Sequence, residues 1–165
     1  MKNLALPSGI CYNQGMNLEW VRIDETLEMA KYPVTNAEYA EWLASLPPDE
    51  AERFYSPLME EHFFGGIRHD FSVKPGYERL PVVFVSWFDA QTFAAAHGCR
   101  LPDAVEWRKA AAWNAKLRKF ARYATGFDET PSRQEVNCYD ALAGWALPPP
   151  HIAAVDWYRP SGPCG

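Results

Sequence analysis

The sequence predicts a single mixed α+β domain, and three observations support this prediction. A chain of 165 residues suits one hydrophobic core. Apolar residues make up 48% of the chain and charged residues 22%, a balance typical of folded proteins rather than disordered ones. Short β-like segments and helix-capping signals share the chain, without an internal repeat. Because aromatic residues reach 15%, we expect a core built on large rings.

The first part of the chain, up to Pro47, predicts two strands followed by a helix. Residues 1–17 are expected to be irregular, and alternating residues at 18–23 and 26–32 predict short strands around a turn at 24–25. Thr35 and Glu38 have the spacing of a capping box, so a helix should begin there. Apolar residues recur at helical spacing as far as Pro47, and they are Tyr39, Trp42, Leu43 and Leu46.

The middle of the chain contains two further capping signals. Residues 49–77 lack sustained periodicity and predict one short helix near 49–54, and the apolar run at 80–85 predicts a buried strand. Ser86 and Asp103 each predict a helix start, and Gly98 ends the first of these helices. Beyond residue 119 the chain reads as loops, with a strand-like fragment at 153–158. Side chains expected in the core are Trp87, Leu101 and Trp107.

Charge and cysteine usage limit the kinds of partner and compartment. A net charge of −5 opposes binding to nucleic acid or to anionic membranes, and no apolar run is long enough to span a bilayer or to form a signal peptide. The cysteines lie far apart, at 11, 99, 138 and 164. This spacing predicts reduced, buried thiols and a cytoplasmic protein.

Four segments, taken in order, resemble one known family. They are residues 31–39, 80–90, 100–107 and 135–138, which read KYPVTNAEY, LPVVFVSWFDA, RLPDAVEW and EVNC. Together they resemble the formylglycine-generating enzyme, or sulfatase-modifying-factor, domain family over roughly residues 16–165. The resemblance implies a C-type-lectin-like fold with irregular backbone. The matching residues are mostly helix caps and core side chains, so they identify a fold more than a reaction.

The resemblance also implies a chemistry that these residues do not complete. Catalytic members oxidise a substrate cysteine to formylglycine with a copper-binding cysteine pair near the C-terminus. Here residues 160–165 resemble the lead-in to the family's last segments, so the domain is expected to be shortened at its C-terminus. Copper is therefore not expected in this chain, although folding can bring distant thiols together. The resemblance also implies a calcium ion bound by Asn137, the Cys138 carbonyl and Asp140. The alternative is that Asn137 is a turn residue.

Histidines provide the remaining candidate sites. His62 and His69, with nearby carboxylates of Glu60, Glu61 and Asp70, have the residue types of a non-haem iron site. Solvated loop charges are the favoured interpretation, since no helical spacing brings these residues together. His97 is predicted to cap a helix rather than to act as a base, and His151 is predicted to lie in a surface loop.

Two functional hypotheses follow from the sequence. The first is a non-catalytic domain of this family that binds a protein or a small-molecule ligand, because loops on a retained scaffold can change function. The second is the front part of a formylglycine-generating oxidase or a related non-haem metalloenzyme that oxidises a cysteine or thiol. Missing core strands would leave apolar surface exposed, so a homo-oligomer or a complementing subunit is also expected.

Overall fold

The computed structural model describes residues 18–114, 116–123 and 152–157, together with the backbone of 139–140 and 144–145. These residues form helices and short antiparallel strands, a mixed α+β architecture as predicted. The strands are β1 (Trp20–Arg22), β2 (Glu28–Ala30), β3 (Trp113–Asn114), β4 (Lys119–Phe120), β5 (Tyr139–Asp140) and β6 (Gly144–Trp145). The helices are α1 (Asn36–Ser45), α2 (Pro48–Phe54), α3 (Leu58–Glu61), α4 (Trp87–Ala96) and α5 (Ala104–Ala112). None of the helices in these ranges is long and apolar enough to cross a membrane.

Each strand pairs with its neighbour in sequence. The β1–β2 hairpin aligns Val21 with Met29, the β3–β4 hairpin aligns Trp113 with Phe120, and β5 pairs with β6. The predicted strands at 18–23 and 26–32 are confirmed, each shorter than expected. The β1–β2 turn is closed by Asp24, whose Oδ1 accepts hydrogen bonds from the Thr26 and Leu27 backbone N–H groups at 2.7 and 3.0 Å.

All three predicted capping boxes are present, at the starts of α1, α4 and α5. At α1, the Thr35 backbone N–H donates to Glu38 Oε2 at 2.7 Å, and the Glu38 N–H donates to Thr35 Oγ1 at 3.3 Å. Each box satisfies backbone donors that the first helical turn leaves unpaired, which is why these starts can be read from sequence. The short helix expected near 49–54 is confirmed as α2.

The core is an aromatic cluster centred on α1. The ring centroid of Tyr39 lies 5.2 Å from that of Trp42 and 5.5 Å from that of Phe93 on α4. Trp42 also contacts Phe54 on α2 at 5.0 Å, and the Tyr39 hydroxyl donates to the Phe54 carbonyl at 3.1 Å. The buried members of the cluster are Tyr39, Ala40, Trp42, Leu43, Ala51, Met59, Ile67 and Phe93. The expectation of a ring-based core is confirmed.

Asn36 joins the start of α1 to two loops. Its backbone N–H donates to the Leu80 carbonyl at 2.9 Å, and its side-chain Nδ2 donates to the Tyr77 carbonyl at 3.0 Å. The side chain is buried, and a Cβ on Gly66 would lie 2.4 Å from Nδ2. Glycine is therefore required at position 66 by this close approach.

Two predicted strands are wrong. Residues 80–85 form only an isolated bridge, between Thr35 and Pro81, and Val82 donates its N–H to Val34. The φ angle of Phe84 is +63°, in the left-handed region, and this turn in the backbone prevents a continuous ladder. Residues 153–157 are also not a strand; there Val155 donates to the Arg79 carbonyl and Asp156 pairs with the Arg79 guanidinium at 2.6 Å.

Trp87 and Trp107 are not core residues, contrary to the sequence prediction. Each side chain is 60% exposed, and α5 has no buried residue. Their positions follow from the helices that carry them. The face of α4 that packs inward presents Phe93 and Ala94, while Trp87 is the first residue of that helix. Leu101 is half-buried.

Candidate functional site

A groove lies between the β1–β2 hairpin and α5, and is called here the α5 groove. Its volume is about 200 Å³. Its walls are lined by Val21, Ile23, Met29, Ala30, Lys31, Trp107, Ala110 and Ala111. The α5 residues of this set fall at i, i+3 and i+4, so they share one helix face. The same periodicity predicted a buried face, and the structure places that face along an open groove instead.

One ion pair fastens the two walls of the groove together. The Lys109 ammonium on α5 donates to Oδ2 of Asp24 in the β1–β2 turn. This bond from Lys109, followed by the bonds from Thr26, holds the pKa of the Asp24 carboxyl well below its usual range. Asp24 therefore organises the hairpin turn through one oxygen and α5 through the other.

A second ion pair fixes the start of α5. The Arg100 guanidinium donates to both carboxylate oxygens of Glu106, at 2.7 and 2.6 Å. The Asp103 backbone N–H donates to Glu106 as well, at 2.9 Å. The bonds from Arg100, and next the bond from Asp103, lower the pKa of Glu106 to about 2. The bidentate pair thus fixes the first turn of α5, the helix that carries Trp107.

The rim of the groove carries one paired cation. Lys31 Nζ lies 2.9 Å from Glu19 Oε2 and 5.1 Å from the Tyr32 ring centroid. The hydrogen bond to Glu19 raises the pKa of Lys31, so its ammonium stays charged. The groove thus combines apolar walls with a charged edge. A cavity of roughly 150 Å³ is large enough to hold benzene, so a space of this size suits one apolar or aromatic side chain.

The residues weighed as candidate iron ligands lie in and after α3. The residues described contain no cluster of three or more His, Cys, Asp or Glu side chains able to hold a metal ion. His62 Nδ1 accepts the Phe64 backbone N–H at 3.2 Å, and the His62 ring packs on Phe63 and Phe84. Glu60 accepts the His69 backbone N–H at 3.0 Å.

The remaining carboxylates and rings of this loop also have structural partners. Asp70 accepts the Ser72 hydroxyl at 2.6 Å, which lowers the pKa of Asp70. Burial, and then the nearby Glu60 charge, raise the pKa of Tyr55 to about 12. The carboxylates of Glu60 and Asp70 thus accept hydrogen bonds from within the loop, and the His62 ring packs on neighbouring phenylalanines.

The other candidate residues fall into two groups. His97 is the C-cap of α4, as predicted, with Nδ1 2.7 Å from the Phe93 carbonyl. Cys99 is half-buried, and its thiol donates to the His97 carbonyl at 3.3 Å. Outside the described residues lie Cys11, Asn137, Cys138, His151 and Cys164. Asp140 lies in β5, where only the backbone is described, so calcium at Asn137, Cys138 and Asp140 stays a prediction.

Comparison with known proteins identifies the family to which this chain belongs. The model of the family described as Sulfatase-modifying factor enzyme 1-like domain matches residues 8–161. The chain therefore belongs to this family. The resemblance found in the four sequence segments is confirmed.

Individual relatives include an oxygenase, a formylglycine-generating enzyme and a protein kinase. The hercynine oxygenase of Mycolicibacterium thermoresistibile is 39% identical over 104 residues, covering 63% of this chain and 21% of the relative. The formylglycine-generating enzyme of Streptomyces coelicolor is 36% identical over 108 residues, covering 59% and 31%. The serine/threonine-protein kinase Pkn1 of Chlamydia trachomatis is 31% identical over 126 residues, covering 76% and 20%. The chain spans less than a third of the length of each of these relatives.

Sequence reasoning missed the α5 groove because its two walls are far apart in the chain. The Lys109–Asp24 bond that joins them spans 85 residues. The available signal was the helical spacing of Trp107, Ala110 and Ala111, which indicates an apolar helix face. Whether such a face meets a core or an open space depends on tertiary contacts that no local pattern specifies.

Proposed function

We propose that this chain is a non-catalytic binding module with the C-type-lectin-like fold of its family, and that the α5 groove holds a side chain of a polypeptide ligand. The observation that supports it is the position of Trp107, 60% exposed on the wall of an apolar groove. Exposed aromatic side chains beside a concavity are typical anchors of protein interfaces. Scaffolds of this kind carry different functions in different members.

The chemistry of the groove favours binding over bond making. Its walls are aliphatic and aromatic, and its one ionisable lining residue, Lys31, is held as an ammonium by Glu19. A charged ammonium is a poor nucleophile and a poor base, and this one is already paired with a carboxylate. The groove therefore suits a peptide that presents an apolar side chain.

Trp107→Ala tests the proposal against a matched control, Trp87→Ala, whose side chain is equally exposed but outside the groove. The probe is a cysteine-containing sulfatase peptide, followed by the indole N–H resonances in an NMR titration. We expect the Trp107 resonance to shift on binding, and Trp107→Ala to weaken binding by about tenfold or more, the usual size of an anchor effect. Trp87→Ala should bind like the wild type.

Three results would contradict the proposal. Mass spectrometry that detects formylglycine in the peptide after incubation with the purified chain, with or without copper, would establish catalysis. Equal peptide affinity of the wild type and Trp107→Ala would remove the α5 groove as the binding site. An absence of any peptide binding would exclude this ligand class.

A second candidate is the front part of a formylglycine-generating oxidase or a related non-haem metalloenzyme. The observation in its favour is that the relatives named hercynine oxygenase and formylglycine-generating enzyme match this chain over only 21% and 31% of their length. A downstream coding sequence that continues the family's C-terminal segments would support this candidate. The longer product should then oxidise the cysteine peptide with oxygen, while residues 1–165 alone should not.

A further inference from the structure

Charge is distributed unevenly along this acidic chain. Residues 108–122 contain six of its 16 basic residues and no Asp or Glu. Residues 38–61 contain seven acidic residues and a single basic one, Arg53. Although the net charge is −5, the chain therefore contains one positively charged and one negatively charged segment. The basic segment covers the end of α5 and the β3–β4 hairpin, and the acidic segment covers helices α1 to α3.

The basic segment forms an exposed patch with an apolar centre. We call it the basic patch, and its members are Arg108, Lys116, Leu117, Arg118 and Phe120. Leu117 is 63% exposed and Phe120 is 40% exposed. The Arg108 guanidinium lies 4.7 Å from the centroid of the Phe120 ring. Apolar side chains surrounded by charge are typical of docking surfaces rather than of a solvated loop.

The backbone that carries the basic patch is held in place by its own contacts. The Leu117 N–H donates to Asn114 Oδ1 at 3.0 Å, and the Trp113 ring meets the Phe120 ring edge-on at 5.0 Å. Arg118 adopts a φ of +52°, in the left-handed region, within the turn that joins β3 and β4. A surface that is already ordered loses less conformational entropy when it binds a partner.

Helix α3 carries a patch of complementary character. We call it the acidic patch, formed by Leu58, Glu60, Glu61 and Phe63, all of them exposed. Leu58 is 46% exposed and Phe63 is 51% exposed, so this surface also has apolar side chains beside charges. It is fixed by Lys74 Nζ, which donates to the Glu60 carbonyl at 2.5 Å, and by the Tyr77 hydroxyl, which donates to the Phe63 carbonyl at 3.1 Å.

We propose that the basic patch of one copy of this chain docks on the acidic patch of a second copy. Apolar centres then meet while the surrounding charges attract, an arrangement that fixes register and speeds association. Because the two surfaces differ, the contact is heterologous, and each dimer keeps one unused patch of each kind. Longer assemblies form at higher concentration. None of these residues lines the α5 groove, so this proposal is independent of the peptide-binding one.

Sedimentation velocity of the full chain tests the proposal over a range of concentrations. At an ionic strength of about 0.05 M we expect the average mass to rise with concentration, and at about 0.5 M we expect the rise to diminish because salt screens exposed charges. Lys116→Glu and Glu61→Lys should each weaken self-association by about fivefold to tenfold, since attraction at the rim becomes repulsion. Arg22→Glu, an exposed reversal outside both patches, is the matched control.

Mixing the two reversed variants gives the decisive result. Each variant keeps one unaltered patch, so the intact acidic patch of Lys116→Glu can pair with the intact basic patch of Glu61→Lys, and the mixture should associate more strongly than either variant alone. Far-UV circular dichroism checks that both variants are folded. A wild-type mass that stays monomeric at low salt, or a mixture that fails to recover, overturns the proposal. Binding of a single-stranded oligonucleotide or of phosphatidylserine vesicles through Lys116, without self-association, would also overturn it and assign the patch to a polyanion.

Discussion

Helices α1 and α5 begin with the same local signal and end in opposite environments. Both have a complete capping box, and both carry a tryptophan on an apolar face. In α1 the residues Asn36, Tyr39, Ala40, Trp42 and Leu43 are buried, whereas α5 has no buried residue. α1 is stabilised by packing and α5 by ion pairs to Asp24 and Arg100. Capping thus determines where a helix starts, and tertiary partners determine what stabilises it.

Leu43→Ala should reveal the largest difference between the two helices. Leu43 is fully buried in the aromatic core, so the truncation leaves a cavity and should lower the free energy of unfolding by about 2–5 kcal/mol. Val105→Ala on α5 removes a side chain that is 74% exposed, and it should change stability by less than about 0.5 kcal/mol. Chemical denaturation of both variants measures this. Equal losses would show that α5 is packed against a partner in solution.

Gly66→Ala tests the close approach that anchors α1. The added Cβ would lie 2.4 Å from Asn36 Nδ2, a contact that must be relieved by moving a buried side chain. We expect a loss of about 1–3 kcal/mol in the free energy of unfolding. Gly76→Ala is the control, because its Cβ meets nothing within 4 Å and its φ of +84° adds only conformational strain, about 1 kcal/mol. A larger loss at Gly76 than at Gly66 would contradict the anchoring role of Asn36.

Phe84 offers a smaller test of backbone strain beside the α1 core. Phe84→Gly and Phe84→Ala remove nearly the same side chain, but glycine tolerates a φ of +63° and alanine does not. The glycine variant should therefore be more stable than the alanine variant by about 1 kcal/mol, measured by denaturant unfolding. At Val82, which lies outside the left-handed region, the order should reverse. If Phe84→Ala is more stable than Phe84→Gly, residue 84 does not have a left-handed backbone conformation in solution.

The smallest expected effect is the pH dependence of α5. Because the folded-state pKa of Glu106 is lowered to about 2, its contribution is fully present above the ordinary carboxyl value and is lost as pH falls towards 2. Amide hydrogen exchange in α5 should therefore accelerate relative to α1 as pH is lowered from about 5, after correction for the intrinsic exchange rate. Glu106→Gln should reduce this dependence, while Glu41→Gln, an exposed change on α1, should leave it intact. A parallel change in both helices would contradict the assignment to Glu106.

The comparison also explains which parts of the fold could be predicted. The starts of α1, α4 and α5 were correct because Thr35, Ser86 and Asp103 act on backbone groups only a few residues away. The strand predicted at 80–85 failed because the left-handed turn at Phe84 depends on its surroundings rather than on residue type. β-branched residues such as Val82 and Val83 favour strands only when a partner strand is available.

Burial and the candidate site were less predictable for a related reason. Trp107 was expected in the core because its spacing matches an amphipathic helix, yet the side chain faces an open groove. The opposing surface comes from β1 and β2, and the Asp24–Lys109 bond that sets their distance links residues far apart in sequence. The family itself was recognisable from sequence, because four of its segments follow one another along the chain, and the family match over residues 8–161 agrees with them.

The position of Phe93 has a consequence for how the protein emerges from the ribosome. Tyr39 and Trp42 leave the exit tunnel early, but the ring that completes their cluster belongs to α4. The Asn36 side chain likewise bonds to the carbonyl of Tyr77, which lies 41 residues further along the chain. During synthesis α1 therefore presents uncovered rings until α4 has been translated, so the incomplete chain exposes apolar surface during that interval.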